Sequence, residues 1–386
     1  MQFAHTLFGK AVLAGSFSAL GLLISGCGGT ATPPAGSTNL AAATGTSPGS
    51  TASSGSGPST TPAANPTPTP PTPAPSPTPT PTPTPPPTPT PTPGPQAING
   101  IPHLSHVVLV IEENHMFTEV FPNGMPWLVA QGNKYGYATN YRANSPGSML
   151  DYLWLSSGSC HAQDCAPLPA GTNDFQCTGD GCFDQKTGKQ LAITDDNIFR
   201  ELGRAGLTWK VYAQGLPSQG YMDFFSGAYV ARHNPAVWYS DVLDSAQLQQ
   251  NIVPFTQFAA DIAANQLPNY SIVIPDLDND AHDGTLAQAD NFLKNGVAPV
   301  LNTPSFQSGG DGLMFITFDE CDAAVGACPQ QIYTAVIGPK VKPGTVSSTM
   351  YRHESTLRTI LDALGVTVYP GAANTAPDMT DFFQQQ

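Results

Sequence analysis

The sequence predicts an α/β sandwich of three layers, a mostly parallel central sheet with helices on both faces. Three observations predict it. Short continuous apolar runs recur along the second two-thirds of the chain, as buried strands do. They alternate with segments that carry helical signals, the pattern of parallel sheets with crossover helices. Acidic and histidine residues stand directly behind three of the runs, at the sheet edge where such folds bind ligands.

In chain order, His106–Ile111 (HVVLVI) is rich in β-branched residues and bounded by polar ones, hence a buried strand. Met149–Leu155 is a helical run opened by Pro-Gly-Ser. Asn197–Leu202 opens a further helix, and Thr208–Val211 is the strand after it. Ser271–Ile274 (SIVI), Leu313–Phe318 (LMFITF) and Thr334–Ile337 (TAVI) are further strands. Leu286–Asn295 reads as a helix. Ser355–Leu364 (STLRTILDAL) is amphipathic and stops at Gly365.

The part of the chain before these elements is different in kind. Of 386 residues, 40 are Pro, and 22 of these fall between Gly28 and Gln96. No Lys, Arg, Asp or Glu occurs from Ala11 through Ile111. Ala11–Ile24 is an apolar run too short to span a membrane comfortably as a mature helix, and it fits the core of a secretory signal. It ends in Ile24-Ser25-Gly26-Cys27, which resembles a bacterial lipobox, in which a small residue precedes a cysteine that is acylated after cleavage. Residues 1–26 are thus expected to be a lipoprotein signal peptide, with Cys27 anchoring an exported protein to a membrane facing the periplasm or cell exterior. Residues 27–96 read as a linker, first Gly/Ser-rich and flexible, then a Thr-Pro tract over Pro66–Pro95. Proline at every second position favours extended polyproline II, about 3.1 Å per residue or roughly 90 Å in all. Residues 97–386 are left as the globular domain, long enough to bury a large core.

All 28 acidic residues and 13 of the 14 basic ones lie in 112–386. A formal charge of −14 and the lack of a basic stripe argue against a nucleic-acid partner. The same acidity disfavours docking on anionic lipid. Six cysteines besides Cys27 form three sequence-close pairs. In an exported domain these are expected to be disulfides, with local pairing 160–165, 177–182 and 321–328; a zinc cluster is the alternative.

The chemistry-bearing residues follow the strands. Glu112-Glu113-Asn114-His115 ends the first one. Two carboxylates and an amide there are costly if buried unpaired, and a cation would resolve the cost. Asp276–Gly284 (DLDNDAHDG) follows SIVI, and Asp319-Glu320 follows LMFITF. His353 stands before the last helix. Hard oxygen donors with one or two imidazoles suit a divalent metal in a hydrolytic site. Ser148 opens a helix, where a serine either caps the backbone or serves as a nucleophile beside a metal.

Together HVVLVIEENHMF, PDLDNDAHDG, ITFDE, ARHNPAVWYSDV and the closing IGPKVKPG…YRHESTLRTILDALG resemble the bacterial and fungal phosphoesterase family of acid phosphatases and phospholipases C, within the alkaline-phosphatase-like superfamily. The resemblance spans about His103 to Leu364 and implies an alkaline-phosphatase-like sandwich. It implies that Glu113, Asn114, Asp319 and Glu320 hold one divalent metal ion and that Ser148 is the nucleophile, transiently phosphorylated. It also implies that His233, Asp280, His282 and His353 line the phosphate and leaving-group side, with His282 or His353 as the acid for the leaving oxygen. The implied partner is a phosphorylated small molecule or a phospholipid. A monoesterase is the expected activity; a phospholipase C-like diesterase or a catalytically silent binding domain are the alternatives. Two departures bear on the nucleophile block. The family's usual His-Pro-Ser is Pro146-Gly147-Ser148 here, and its Asn is Asp151, which adds negative charge near an anionic substrate. His103, His106 and His115 are expected to be packing or strand-edge residues.

Overall fold

The computed structural model describes residues 96–145, 147–159, 192–320 and 331–384, and the backbone of 177–178 and 181–182, all within one compact unit, Pro86–Gln386. The signal, lipobox and linker expectations lie outside the described residues. So do Cys160, Cys165, Cys321, Cys328 and His161, and the side chains of Cys177 and Cys182.

Strand β1 is His106–Glu112, β2 Gly136–Arg142, β3 Cys177–Thr178, β4 Gly181–Cys182, β5 Trp209–Ala213 and β6 Phe225–Ser226. Then come β7 Tyr229–Val230, β8 Ile252–Pro254, β9 Tyr270–Ile274, β10 Gly312–Phe318, β11 Gln331–Ile337 and β12 Thr345–Ser347. Eight of them form one sheet in the order β12-β2-β11-β10-β1-β9-β5-β8. Strands β10, β1, β9, β5 and β8 are mutually parallel, while β11 runs antiparallel to both β10 and β2. β3 and β4 form a short hairpin that sets Cys177 opposite Cys182 in the backbone register.

The centre of the sheet is where the longest apolar runs are. Every residue of β9 and β10 is buried, and so is β1 after His106. A strand buried on both faces cannot alternate with polar residues, hence the continuous runs. Helices cover both faces: α1 Phe117–Val120, α2 Pro126–Lys134, α3 Ser148–Ser157, α4 Ile198–Arg204, α5 Ser240–Leu243, α6 Ala246–Gln249, α7 Thr256–Ala264, α8 Leu286–Phe292 and α9 His353–Ala363. Several start as their sequences dictate. Asn197 accepts a hydrogen bond from Arg200 N–H at the start of α4, and Thr285 with Gln288 forms a capping box at α8. The helix expected over Leu286–Asn295 is α-helical only to Phe292 and then widens into a π-turn over Leu293–Val297. No described helix is long and apolar enough to cross a membrane.

Sheet register builds the site. Glu112 lies opposite Phe318 in the parallel β1–β10 pair, so the next residues, Glu113 and Asp319, emerge level at one edge. Asp319 N–H donates to Glu112 O at 2.9 Å, and Glu113 N–H to Asp280 O at 2.8 Å. The loop after β9 is thereby tied to the same edge. A bridge between Tyr141 and Tyr351 carries the start of α9, and with it His353, to the end of β2.

Candidate active site

Glu113 is the hub of the cluster. It is fully buried, and its Oε2 accepts a hydrogen bond from Ser148 Oγ at 2.9 Å. Its Oε1 lies 3.2 Å from His233 Nε2, while His233 Nδ1 lies 3.3 Å from Asp280 Oδ2. Neither approach has hydrogen-bond geometry, so Glu113 Oε1, Asp280 Oδ2 and both His233 nitrogens are buried without a hydrogen-bond partner. Asn114 Oδ1 and Asp319 Oδ2 are buried in the same condition.

Unmet donors and acceptors of this kind are rare in folded interiors. Here they gather around one volume. Glu113, His233 and Asp280 each offer an atom within 4.8 Å of the others, close enough to ring a single ion at coordination distance. The donor set, two carboxylates and an imidazole with Asp319 and Asn114 beside them, fits a divalent metal. Without a cation, burial pushes Glu113 well above the usual carboxylate range, with the charges of Asp319 and Asp280 adding to it. Burial likewise raises Asp319, pushes Asp280 up to about 8 and holds His233 well below its ordinary value. A bare site therefore resists ionising its carboxylates, and a cation reverses that penalty.

Local backbone aims these groups. Asn114 adopts φ 50°, a left-handed conformation that Asn tolerates better than most residues. It turns the chain at the end of β1, and its N–H donates to Asp319 Oδ1 at 3.1 Å. Gly147, the residue before α3, has φ 114°, which proline cannot reach. Its N–H donates to Glu320 Oε2 at 2.6 Å. Glycine at 147 thus supplies a donor that proline lacks, and it commits one Glu320 oxygen to the loop before Ser148. Strand alternation sends Glu112 to the other face of the sheet, so of the adjacent pair only Glu113 meets the cluster.

The histidines take distinct places. His233 is buried and its ring stacks on Tyr152 with centroids 5.3 Å apart. His353 Nε2 lies 2.6 Å from Asp319 O, and a carbonyl only accepts, so Nε2 carries the proton. Its Nδ1 then accepts from Tyr141 OH at 3.2 Å. Burial lowers His353 to about 3, and its Nε2–H holds the Asp319 carbonyl. His282 is half-buried; its Nε2 faces Arg232 Nη2 at 3.3 Å and its Nδ1 faces Asp283 Oδ1 at 2.8 Å. Outside the cluster, His106 Nδ1 bonds Pro268 O at the strand start, and His115 bridges Glu119 and Ala281 O.

Asp151 is not aimed at the substrate side as a lone charge. Its Oδ1 accepts from Asn144 N–H at 3.0 Å and Ser145 N–H at 3.1 Å, and His353 Nε2 lies 3.4 Å away. It ties the loop before Ser148 to α3. Burial raises its carboxyl well above the ordinary range. A raised folded-state value means that stability is present below the unfolded value and lost as pH rises through the folded one. Asp151→Asn keeps an acceptor and removes the buried charge. In chelator its melting temperature should exceed the wild type's at pH 8, by about 1–3 kcal/mol of stability. The gain should shrink as pH falls towards the ordinary Asp value and vanish below it, where Asp151 is protonated in both states. A gain independent of pH would show that charge burial is not the cause.

Several of these residues carried no sequence signal. Tyr152 and Tyr141 have no motif of their own, and Arg232 lies inside the ARHNPAVWYSDV stretch without a role that the stretch assigns.

Known proteins with similar sequences point the same way. A model described as Phosphoesterase family matches residues 122–367, starting just past Glu113 and Asn114. The chain is 30% identical over 288 residues to the phosphatidylinositol-3-phosphatase of Mycobacterium tuberculosis, covering 74% of this chain and 85% of that one. It is 32% identical over 157 residues to a phosphate-repressible acid phosphatase of Penicillium chrysogenum, covering 39% and 37%. It is 28% identical over 246 residues to an acid phosphatase of Aspergillus fumigatus, covering 61% and 49%. The chain thus spans half or less of these fungal relatives. Among solved structures, an alkaline phosphatase superfamily protein from Vibrio parahaemolyticus aligns with a TM-score of 0.46 at 10% identity, over 68% of this chain and 67% of that one.

Proposed function

The chain belongs to the Phosphoesterase family, and from that premise we propose that it hydrolyses phosphate monoesters through a phosphoserine at Ser148, with one divalent ion held at Glu113. The observation that carries this reading is the double engagement of Glu113. One carboxylate oxygen takes the Ser148 hydroxyl at 2.9 Å, and the other meets His233 in the group that fits a metal.

Glu113, His233 and Asp280 would hold the ion, with Asp319 and Asn114 beside them. When bound, such an ion polarises phosphoryl oxygens and lowers the pKa of a nearby hydroxyl. The chain's own residues do the rest. Glu113 Oε2 fixes the direction of Ser148 Oγ and holds its proton. The N-terminus of the ten-residue α3, which has no side-chain cap, would present its positive dipole to the phosphate. Oγ attacks phosphorus in line and the ester oxygen leaves; water then attacks the phosphoserine, releasing phosphate and restoring the hydroxyl. His353 keeps Asp319 in place, and Asp151 keeps the Ser148 loop in place.

Assays with p-nitrophenyl phosphate and bis-p-nitrophenyl phosphate, with and without chelator, test the proposal. The monoester should be turned over faster, and chelation should cut turnover by about 100-fold or more. A faster diester would replace the monoesterase with a phospholipase C-like activity. No chelator-sensitive turnover of either compound would leave a silent domain. Export and anchoring through an acylated Cys27 complete the proposal. They rest on the sequence of residues 11–27 and are checked by metabolic labelling with palmitate.

A further inference from the structure

We propose that Arg232 is a phosphate-binding residue of this site: its guanidinium, oriented by His282, grips the two phosphoryl oxygens that face away from the metal and makes the site prefer dianionic monoesters. The inference rests on the phosphatase reading and adds to it a role for a residue to which the family resemblance assigns none.

Charge balance shows the need for it. Glu113, Asp280 and Asp319 carry three negative charges when a divalent ion is bound, and the ion returns two positive ones. A phosphate monoester dianion then enters a site that is already net negative, with the buried Asp151 and Glu320 close behind. A fixed cation beside the cluster would offset that charge.

Geometry supplies one. Arg232 lies in the short turn Ala231–His233, immediately before the cluster histidine. Its Nη2 approaches His282 Nε2 at 3.3 Å. Arginine only donates, so Nε2 is the acceptor, and the Nδ1 proton goes to Asp283 Oδ1 at 2.8 Å. The chain Arg232–His282–Asp283 thus fixes both the tautomer and the place of the guanidinium. His282 in turn is pinned by its own N–H, which donates to Asp280 Oδ1 at 2.8 Å. The His282 and His233 rings are 6.0 Å apart, so the half-buried Arg232, held by His282 and next in sequence to His233, lies beside the cluster. Among the described residues Arg232 makes no ion pair with a carboxylate, unlike Arg200 and Arg204, which are paired with Asp241 and Glu201.

A guanidinium matches two phosphoryl oxygens at once. A monoester dianion spreads its charge over three such oxygens, so two remain for Arg232 after one faces the ion. A diester has only two and one negative charge, and gives up half of that fork. Arg232 therefore raises affinity for monoesters more than for diesters. His282 acts here as a positioning residue, and its Nε2 lone pair is occupied by Arg232.

The test is binding of inorganic phosphate to the zinc-loaded or manganese-loaded protein by titration calorimetry, for wild type, Arg232→Gln and Arg232→Lys. Arg232→Gln should weaken phosphate binding on the order of 10- to 100-fold, and Arg232→Lys by an intermediate amount. With the two p-nitrophenyl substrates, Arg232→Gln should raise KM for the monoester and narrow the monoester-to-diester ratio. Melting curves of both variants establish that they fold; if only Arg232→Lys does, its affinity decides. Unchanged phosphate affinity in a folded variant, or an unchanged substrate ratio, overturns the assignment. Because calorimetry needs no turnover, phosphate binding lost with Arg232 in a protein that cleaves neither ester would sink the phosphatase reading and leave the anion site standing.

Discussion

Ser148→Ala should fold, keep its divalent ion and lose turnover of p-nitrophenyl phosphate by on the order of 10³- to 10⁶-fold, the range seen when a covalent nucleophile is removed. Folding should survive because Ser148 is the first residue of α3, where alanine is a good helix former, and because the preceding turn is set by Gly147 rather than by the hydroxyl. The lost contact is a single hydrogen bond to Glu113 Oε2, worth about 1–2 kcal/mol. The ion should remain because Glu113 Oε1, His233 and Asp280 are untouched. What disappears is the oxygen that the proposed mechanism would phosphorylate. The measurement is kcat by stopped assay, together with mass spectrometry of acid-quenched protein, which should show a phosphate adduct in the wild type and none in the variant. Turnover within tenfold of wild type would mean that water attacks directly and that the Ser148 hydroxyl only supports Glu113.

The sheet was legible wherever burial on both faces leaves a continuous apolar run. HVVLVI, SIVI, LMFITF and TAVI all lie within strands, and the acidic residues behind the first three could be placed at one edge by the rule for parallel sheets. Strand β2, GYATNYR, was not legible, because its mixture of Gly, Asn and Arg has neither a run nor an alternation. Yet β2 delivers the chain to Ser148. Pairing order was also invisible: nothing in TAVI says that β11 runs antiparallel to its neighbours. At the site, the strand-end carboxylates announced themselves, but their grouping did not. His233 arrives from a short turn after the β6–β7 hairpin, 120 positions from Glu113, and only the folded chain puts them 3.2 Å apart. Asp151 shows the converse. Its sequence position implied repulsion of the substrate, whereas its oxygen is occupied by the N–H groups of Asn144 and Ser145. Local hydrogen bonding decides where a short carboxylate points, and the sequence does not show which N–H groups are within reach.

Glu113→Gln should separate stability from function more sharply than any other single change. The amide keeps the shape and length of the side chain and one oxygen, but not the charge. Metal affinity should fall by about 100-fold or more, since even residues that only support metal ligands cost 10- to 100-fold when changed. Turnover should fall with it, because the same side chain aligns Ser148 Oγ. In chelator the effect on stability should have the opposite sign. Glu113 is fully buried, its Oε1 lacks a hydrogen-bond partner, and burial together with Asp319 and Asp280 makes its ionised form unfavourable. Removing that charge should raise unfolding stability at pH 8 by about 1–3 kcal/mol. The two effects are read in one experiment, melting with and without excess divalent ion. The wild type should gain stability as RT ln(1 + [L]/Kd), whereas Glu113→Gln should start higher and gain little. A metal-dependent rise in Glu113→Gln equal to the wild type's would remove Glu113 from the ligand set. A lower starting stability in chelator would mean that the carboxylate holds the fold together by itself. The expected crossing of the two curves is what separates a carboxylate kept for a cation from one kept for the core.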